Sequence, residues 1–191
     1  MKRLLFLLIP LAVAAFVAVG ASAVRADSGS HAACVNAQGG DDDGGDAQGS
    51  RVAGDGEGSG GNDNLKGSGN HDELDGNQGD DDLNGDAGDD DLCGDEGDDQ
   101  LSGGSGDDEL DGGPGNDLLA GGAGDDGERG GAGNDRLIGG PGRDQLNAGP
   151  GNDRVSARDG SADRVTCGAG SDWVTADRVD HVSRDCEHVS R

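Results

Sequence analysis

Aspartate returns at a fixed interval through most of this 191-residue chain. It stands at Asp63, Asp72, Asp81, Asp90, Asp99, Asp108, Asp117, Asp126, Asp135, Asp144 and Asp153, and then, after one inserted residue, at Asp163 and Asp172. If the chain coils with two nonapeptides per turn, alternate copies lie about 4.8 Å apart. Carboxylates stacked at that distance repel by ~1 kcal/mol in water, and by several at a lower effective dielectric. A hard divalent cation between successive loops turns that repulsion into ligation, because Ca²⁺ takes roughly six to eight oxygens from carboxylates and carbonyls. The four cysteines are widely spaced and lack the Cys-x-x-Cys pairs of a zinc site.

The elements that must carry these carboxylates are short. Eleven uninterrupted nonapeptides run from Gly58 to Ser156, among them GGSGDDELD, GGPGNDLLA and GGAGNDRLI. A twelfth copy, ARDGSADRVT, has one extra residue, and a thirteenth, CGAGSDWVT, ends at Thr175. Each copy divides into a six-residue Gly/Asp loop and a three-residue x-U-x segment in which U is Leu or Val. Alternation in an extended segment sends U to one face and its polar neighbours to the other, so U is the candidate core. One buried Leu contributes roughly 1.5–3 kcal/mol. Ordering a residue costs about 1 kcal/mol or more of backbone entropy, so the apolar seam alone is not expected to hold the coil.

The repeats match the pattern G-G-x-G-x-D-x-U-x, and residues 58–175 resemble the RTX (haemolysin-type) calcium-binding proteins. The resemblance implies an all-β fold: a parallel β-roll, or right-handed β-solenoid, with two nonapeptides per turn. It implies several Ca²⁺ ions between stacked loops, held by loop carbonyls and by the aspartates at position six, the thirteen named above. Asn70 and His71 in the second copy, and Arg143 beside Asp144, depart from the pattern and are expected to weaken their sites.

The remaining segments frame the repeat. Residues 1–26 read as a secretory signal peptide, with an apolar run from Leu4 to Val19 and cleavage after Ala23 or Ala26. Residues 27–57 read as a flexible acidic, glycine-rich leader; Asp41 to Asp46 lacks the helices and terminal Glu of an EF-hand. Residues 176–191, with Val179, Val182 and Val189, read as a carboxy-terminal cap over the open edge. The expected disulfides are Cys167 with Cys186, bridging the last turn to the cap, and Cys34 with Cys93.

Formal charge is −26 and unevenly spread. From Asp27 to Glu128 there are 30 acidic residues against Arg51 and Lys66, whereas from Arg129 onward 10 acidic residues meet nine arginines that are expected to pair with them. Arg136, Arg154 and Arg164 follow the repeat aspartate and should point outward. One copy, GGAGDDGER, has Glu128 where Leu is due, and the cost of burying a carboxylate predicts that Glu128 turns outward. His31, His71, His181 and His188 are scattered and no nucleophile elbow is present, so no enzyme is expected. The expected function is calcium binding by a secreted module that folds on Ca²⁺ outside the cell, with no nucleic-acid partner and no membrane after signal cleavage. An envelope or adhesion spacer with a cell-wall partner, or the companion of a separately encoded enzyme, are the alternatives.

Overall fold

The computed structural model describes residues 56–191. The described residues form strands joined by loops, with no helix among them. One parallel sheet holds β1 (Gly56–Glu57), β3 (Glu73–Asp75), β5 (Asp91–Cys93), β7 (Glu109–Pro114), β9 (Gly127–Ala132), β11 (Gln145–Gly151), β13 (Arg164–Gly170) and β15 (His181–Val182), in that order. The other holds β2 (Asn64–Lys66), β4 (Asp82–Ala87), β6 (Gln100–Ser105), β8 (Leu118–Ala123), β10 (Arg136–Ile138), β12 (Arg154–Ala157), β14 (Trp173–Ala176) and β16 (His188–Ser190). Strands two apart in sequence are neighbours in space, as two nonapeptides per turn require. The fold is the parallel β-roll that the periodicity predicts.

Register follows from the repeat length. Leu65 pairs with Leu83, Leu83 with Leu101 and Leu101 with Leu119, one coil apart each time. On the other sheet Leu74, Leu92 and Leu110 do the same. The Leu and Val positions of both sheets make one buried seam, because a one-residue slip would carry all of them to the solvent face. The extra residue of the twelfth copy is absorbed in its loop, so Leu146 still meets Val165. Towards the carboxy terminus the seam widens. The first residue of a copy is glycine up to Gly139, but thereafter Ala148, Ala157, Cys167 and Ala176 occupy that place and are buried.

Position two of the loop shows what the backbone demands. It has positive φ in most of the roll, and three copies supply Asn77 (φ 68°), Asp86 (φ 78°) and Asp95 (φ 64°) where others supply glycine. Asn and Asp tolerate the left-handed region better than other residues with a Cβ. Position four is stricter. A Cβ on Gly97 would lie 1.6 Å from the Gly79 carbonyl oxygen of the preceding coil, so stacking excludes a side chain there.

Three expectations need correction. Glu128 does not turn outward: it is 2% exposed, on β9 between Leu110 and Leu146. Its Oε1 accepts the Gly121 backbone N–H at 2.7 Å, which fixes the side chain inside the seam, while Oε2 has no hydrogen-bond partner. Turning it out would break the in-register pairing of Gly127 and Arg129 with β11. Secondly, the carboxy-terminal arginines are largely unpaired. Among the described residues the ion pairs are Lys66–Asp86 (3.3 Å), Arg129–Asp111 (3.7 Å) and Arg158–Asp177 (4.0 Å). Position-seven arginines stand on the outer sheet faces, away from the loop carboxylates. Thirdly, of the valines expected to close the edge, Val182 packs against the core but Val179 and Val189 are exposed.

The Cys167–Cys186 disulfide is present, with Cα atoms 5.2 Å apart and both cysteines buried. Cys34, the expected partner of Cys93, lies outside the described residues, as do the signal segment and nearly all of the leader. Cys93 is not a free thiol.

Candidate metal centre

The roll places the repeat aspartates in two columns, one along each loop edge. Asp63, Asp81, Asp99, Asp117, Asp135, Asp153 and Asp172 form one; Asp72, Asp90, Asp108, Asp126, Asp144 and Asp163 form the other. All thirteen are buried. From Asp81 onward each Oδ1 accepts the backbone N–H of the column aspartate one coil earlier. Examples are Asp81 N–H to Asp99 Oδ1 at 2.8 Å and Asp90 N–H to Asp108 Oδ1 at 2.9 Å. The inserted residue does not interrupt this, since Asp144 N–H reaches Asp163 Oδ1 at 3.0 Å.

The second carboxylate oxygen is the informative one. In eleven aspartates, Asp81 through Asp163 and Asp172, Oδ2 is buried with no hydrogen-bond partner. The first two copies differ. Asp63 Oδ2 accepts the Ser59 N–H at 2.6 Å and Asp72 Oδ2 the Ser68 N–H at 2.5 Å. Buried polar atoms are rarely left without a partner, and the recurrence of one at the same position of eleven copies fits a ligand-binding role.

The surroundings define what that ligand would be. A Cβ built on Gly94 would stand 2.4 Å from Asp99 Oδ2 and 2.7 Å from the Gly112 carbonyl oxygen; on Gly103 it would meet Asp108 Oδ2 and the Gly121 carbonyl oxygen at 2.3 and 2.6 Å. The glycine at position one therefore keeps open a space faced by a carboxylate oxygen of its own loop and a carbonyl oxygen of the next coil. Among the described residues no three His, Cys, Asp or Glu side chains form a ready-made metal cluster. A hard cation suits this oxygen-only donor set of carboxylate and backbone carbonyl, whereas zinc favours nitrogen and sulfur.

Electrostatics point the same way. Burial, reinforced by the aspartates one coil away, pushes Asp81, Asp99, Asp108 and Asp153 up to about 6 and Asp117 and Asp144 up to about 7. Asp90, Asp126, Asp135 and Asp163 are raised from the same first cause. The columns hold negative charge that the protein alone does not compensate. Arg143 points to solvent and makes no ion pair with Asp144, so it does not reach the carboxylate it was expected to disturb. His71 does engage the next coil, with Nδ1 against the Asp89 carbonyl oxygen.

Two features escaped the sequence reading. The columns continue into the tail: Asp180 Oδ1 accepts the Asp163 N–H at 3.3 Å and Glu187 Oε2 the Asp172 N–H at 3.0 Å. The signal was present in Asp180-His181-Val182 and Glu187-His188-Val189, each an acid followed two residues later by valine, but the glycines that announce a loop were gone. Asp180 Oδ2 accepts the Asp177 N–H, so this rung is satisfied within the protein. The second feature is a ladder at position five. Asp98 Oδ1 accepts from Asn116, and Asn116 Oδ1 accepts from Asn134, through both backbone and side-chain N–H groups at 2.8–3.0 Å. Its side chains reach to the following coil, whereas those of position six reach back.

Fold and loop together define a β-roll with oxygen-lined, calcium-type loops. The chain matches the family model described as RTX calcium-binding nonapeptide repeat (4 copies) over residues 57–92, 94–127 and 129–163, more than half its length, and it belongs to that family. No match was found among curated proteins or among solved structures.

Proposed function

We propose that this chain is a secreted, non-catalytic calcium-binding module whose roll is completed by Ca²⁺ outside the cell. The observation that carries the reading is the pair of columns of buried Oδ2 atoms without partners, which at Asp81, Asp90, Asp99, Asp108, Asp117 and Asp135 face position-one carbonyls. Asp81, Asp90, Asp99, Asp108, Asp117, Asp126, Asp135, Asp144, Asp153, Asp163 and Asp172 would hold the ions through Oδ2. Asp63 and Asp72, already engaged by serine N–H groups, would hold them less well. When bound, the metal supplies the positive charge that the stacked carboxylates lack. The protein's own part is to fix these carboxylates through Oδ1, to aim carbonyl oxygens at the same space and, in the copies up to the one that begins at Gly139, to keep a side chain out of position one. Export is supported by the amino-terminal sequence, by the habit of the family and by the Cys167–Cys186 disulfide, since such bonds persist in oxidising compartments.

Far-UV circular dichroism tests the reading directly. The mature chain in chelator should lack most of the β-signal and gain it as Ca²⁺ reaches the millimolar range typical of extracellular modules. Mg²⁺, which demands a smaller and near-ideal octahedron, should substitute poorly. Identical spectra with and without calcium would overturn the proposal.

A further inference from the structure

The outer face of the sheet that runs from β2 to β16 is unlike the rest of the molecule. From β6 to β16, the positions flanking the central Leu or Val carry Gln, Ser, Leu, Ala, Arg, Ile, Trp, Thr and His, and no carboxylate. In a chain with 40 acidic residues this is a selective exclusion. The register aligns Arg136 with Arg154, Arg154 with Trp173 and Trp173 with His188, as one row across four strands.

Two properties of that row point to a ligand. Like charges directly opposite each other on neighbouring strands are destabilising, yet Arg136 and Arg154 are adjacent, exposed and without an ion-pair partner among the described residues. Trp173, the only tryptophan of the chain, is 59% exposed and stacks on His188 with ring centroids 4.3 Å apart and planes 23° apart. A large, exposed aromatic surface stacked on a second ring beside guanidinium groups without ion-pair partners is the composition of a recognition surface rather than of a solvated face.

We infer that the row Arg136–Arg154–Trp173–His188 is a binding surface for an anionic glycan. A sugar ring lays its C–H face on an aromatic plane, and its carboxylate or sulfate takes the fork of an arginine, which matches such groups with paired N–H donors. The adjoining row supplies the hydroxyls of Ser156 and Thr175 in register for the ring oxygens. Strand spacing of about 4.8 Å sets successive stations at a distance suited to an extended polysaccharide with its charges spread along the chain. A denser polyanion such as nucleic acid fits less well, because the row has one aromatic pair and is bordered by acidic loops.

Trp173 is its own reporter. In calcium, dextran sulfate should produce a saturable change in its emission, weakening as salt is raised, and neutral dextran should bind at least tenfold more weakly. The double variant R136E/R154E should lose at least tenfold in affinity for dextran sulfate. Circular dichroism on each sample reads folding independently, so that loss of binding in folded protein bears on this surface and not on calcium. W173A, followed by affinity electrophoresis in a gel containing dextran sulfate, should migrate with less retardation than the parent. Equal binding of dextran and dextran sulfate, unchanged affinity of the double variant, or oligothymidylate binding as tightly as the sulfated glycan would each overturn the inference.

Discussion

At the scale of single residues, Glu128 shows how far local context can override a cost. Burial raises its carboxyl from 4.5 to about 8, with Asp144 and Asp126 adding to the shift, so near neutrality it is held protonated inside the leucine seam. A carboxyl raised in the folded state contributes stability that is complete below its unfolded value and lost as pH rises through its folded value. The window here runs from about 4.5 to about 8. E128Q keeps an oxygen for the Gly121 N–H and cannot ionise. In urea unfolding at fixed calcium it should match the parent near pH 5 and exceed it by at least about 1 kcal/mol near pH 8. A gap that does not widen with pH would show that Glu128 is ionised and compensated. The sequence predicted an outward turn because it weighed the charged form against solvent. It could not show that a glycine N–H of the same copy lies within reach of the buried oxygen.

At the scale of one loop and its strand, the nine-residue pattern made most of the architecture legible. Period, inward Leu, glycine-dependent turns and aspartate columns all follow from copies that must stack in register. What stayed hidden depends on atoms that carry no periodic signature. The unshared Oδ2 is visible only once Oδ1 is seen to be occupied, and the rungs at Asp180 and Glu187 sit in copies shortened beyond recognition. The valines of the tail, without glycines beside them, predict a cap over the open edge, and two of the tail's strands, β15 and β16, extend the sheets. The position-one space yields a direct prediction. Gly94→Ala would set a methyl group 2.4 Å from Asp99 Oδ2 and 2.7 Å from the Gly112 carbonyl oxygen. It should raise the calcium concentration for half-maximal folding several-fold, measured by titration with circular dichroism. An unchanged midpoint would remove position one from the site. Ala148 and Ala157 already carry that methyl group, so the same change has no counterpart there. The Cys167–Cys186 bridge spans 19 residues and should contribute roughly 3 kcal/mol through the unfolded chain. Urea unfolding of C167S/C186S in calcium should show that loss.

At the scale of the whole molecule, the columns couple folding to both metal and proton. Six of their aspartates, Asp81, Asp99, Asp108, Asp117, Asp144 and Asp153, rise from 3.8 to about 6 or 7 through burial, so the metal-free roll favours the protonated form. That contribution is complete below about 4 and lost as pH climbs through 6 to 7. In chelator, β-structure should therefore increase as pH is lowered from about 8 to about 5. In calcium the trend reverses, because protons compete for the same oxygens and the folding midpoint should move to higher calcium. Circular dichroism across both series checks the pair of signs, and a chelated chain that loses structure on acidification would contradict them. The two loop ladders, one reaching forward and one back, also bear on mechanics. Each coil is clasped by both neighbours, so a pulled roll should yield a whole turn at a time rather than fray residue by residue. A full turn holds eighteen residues, about 60 Å of extended chain, while occupying about 5 Å along the stack. Stretched in calcium, the molecule should lengthen in near-equal increments, like a spring of uniform links, and the turn closed by Cys167–Cys186 should withhold its length until the bond is reduced.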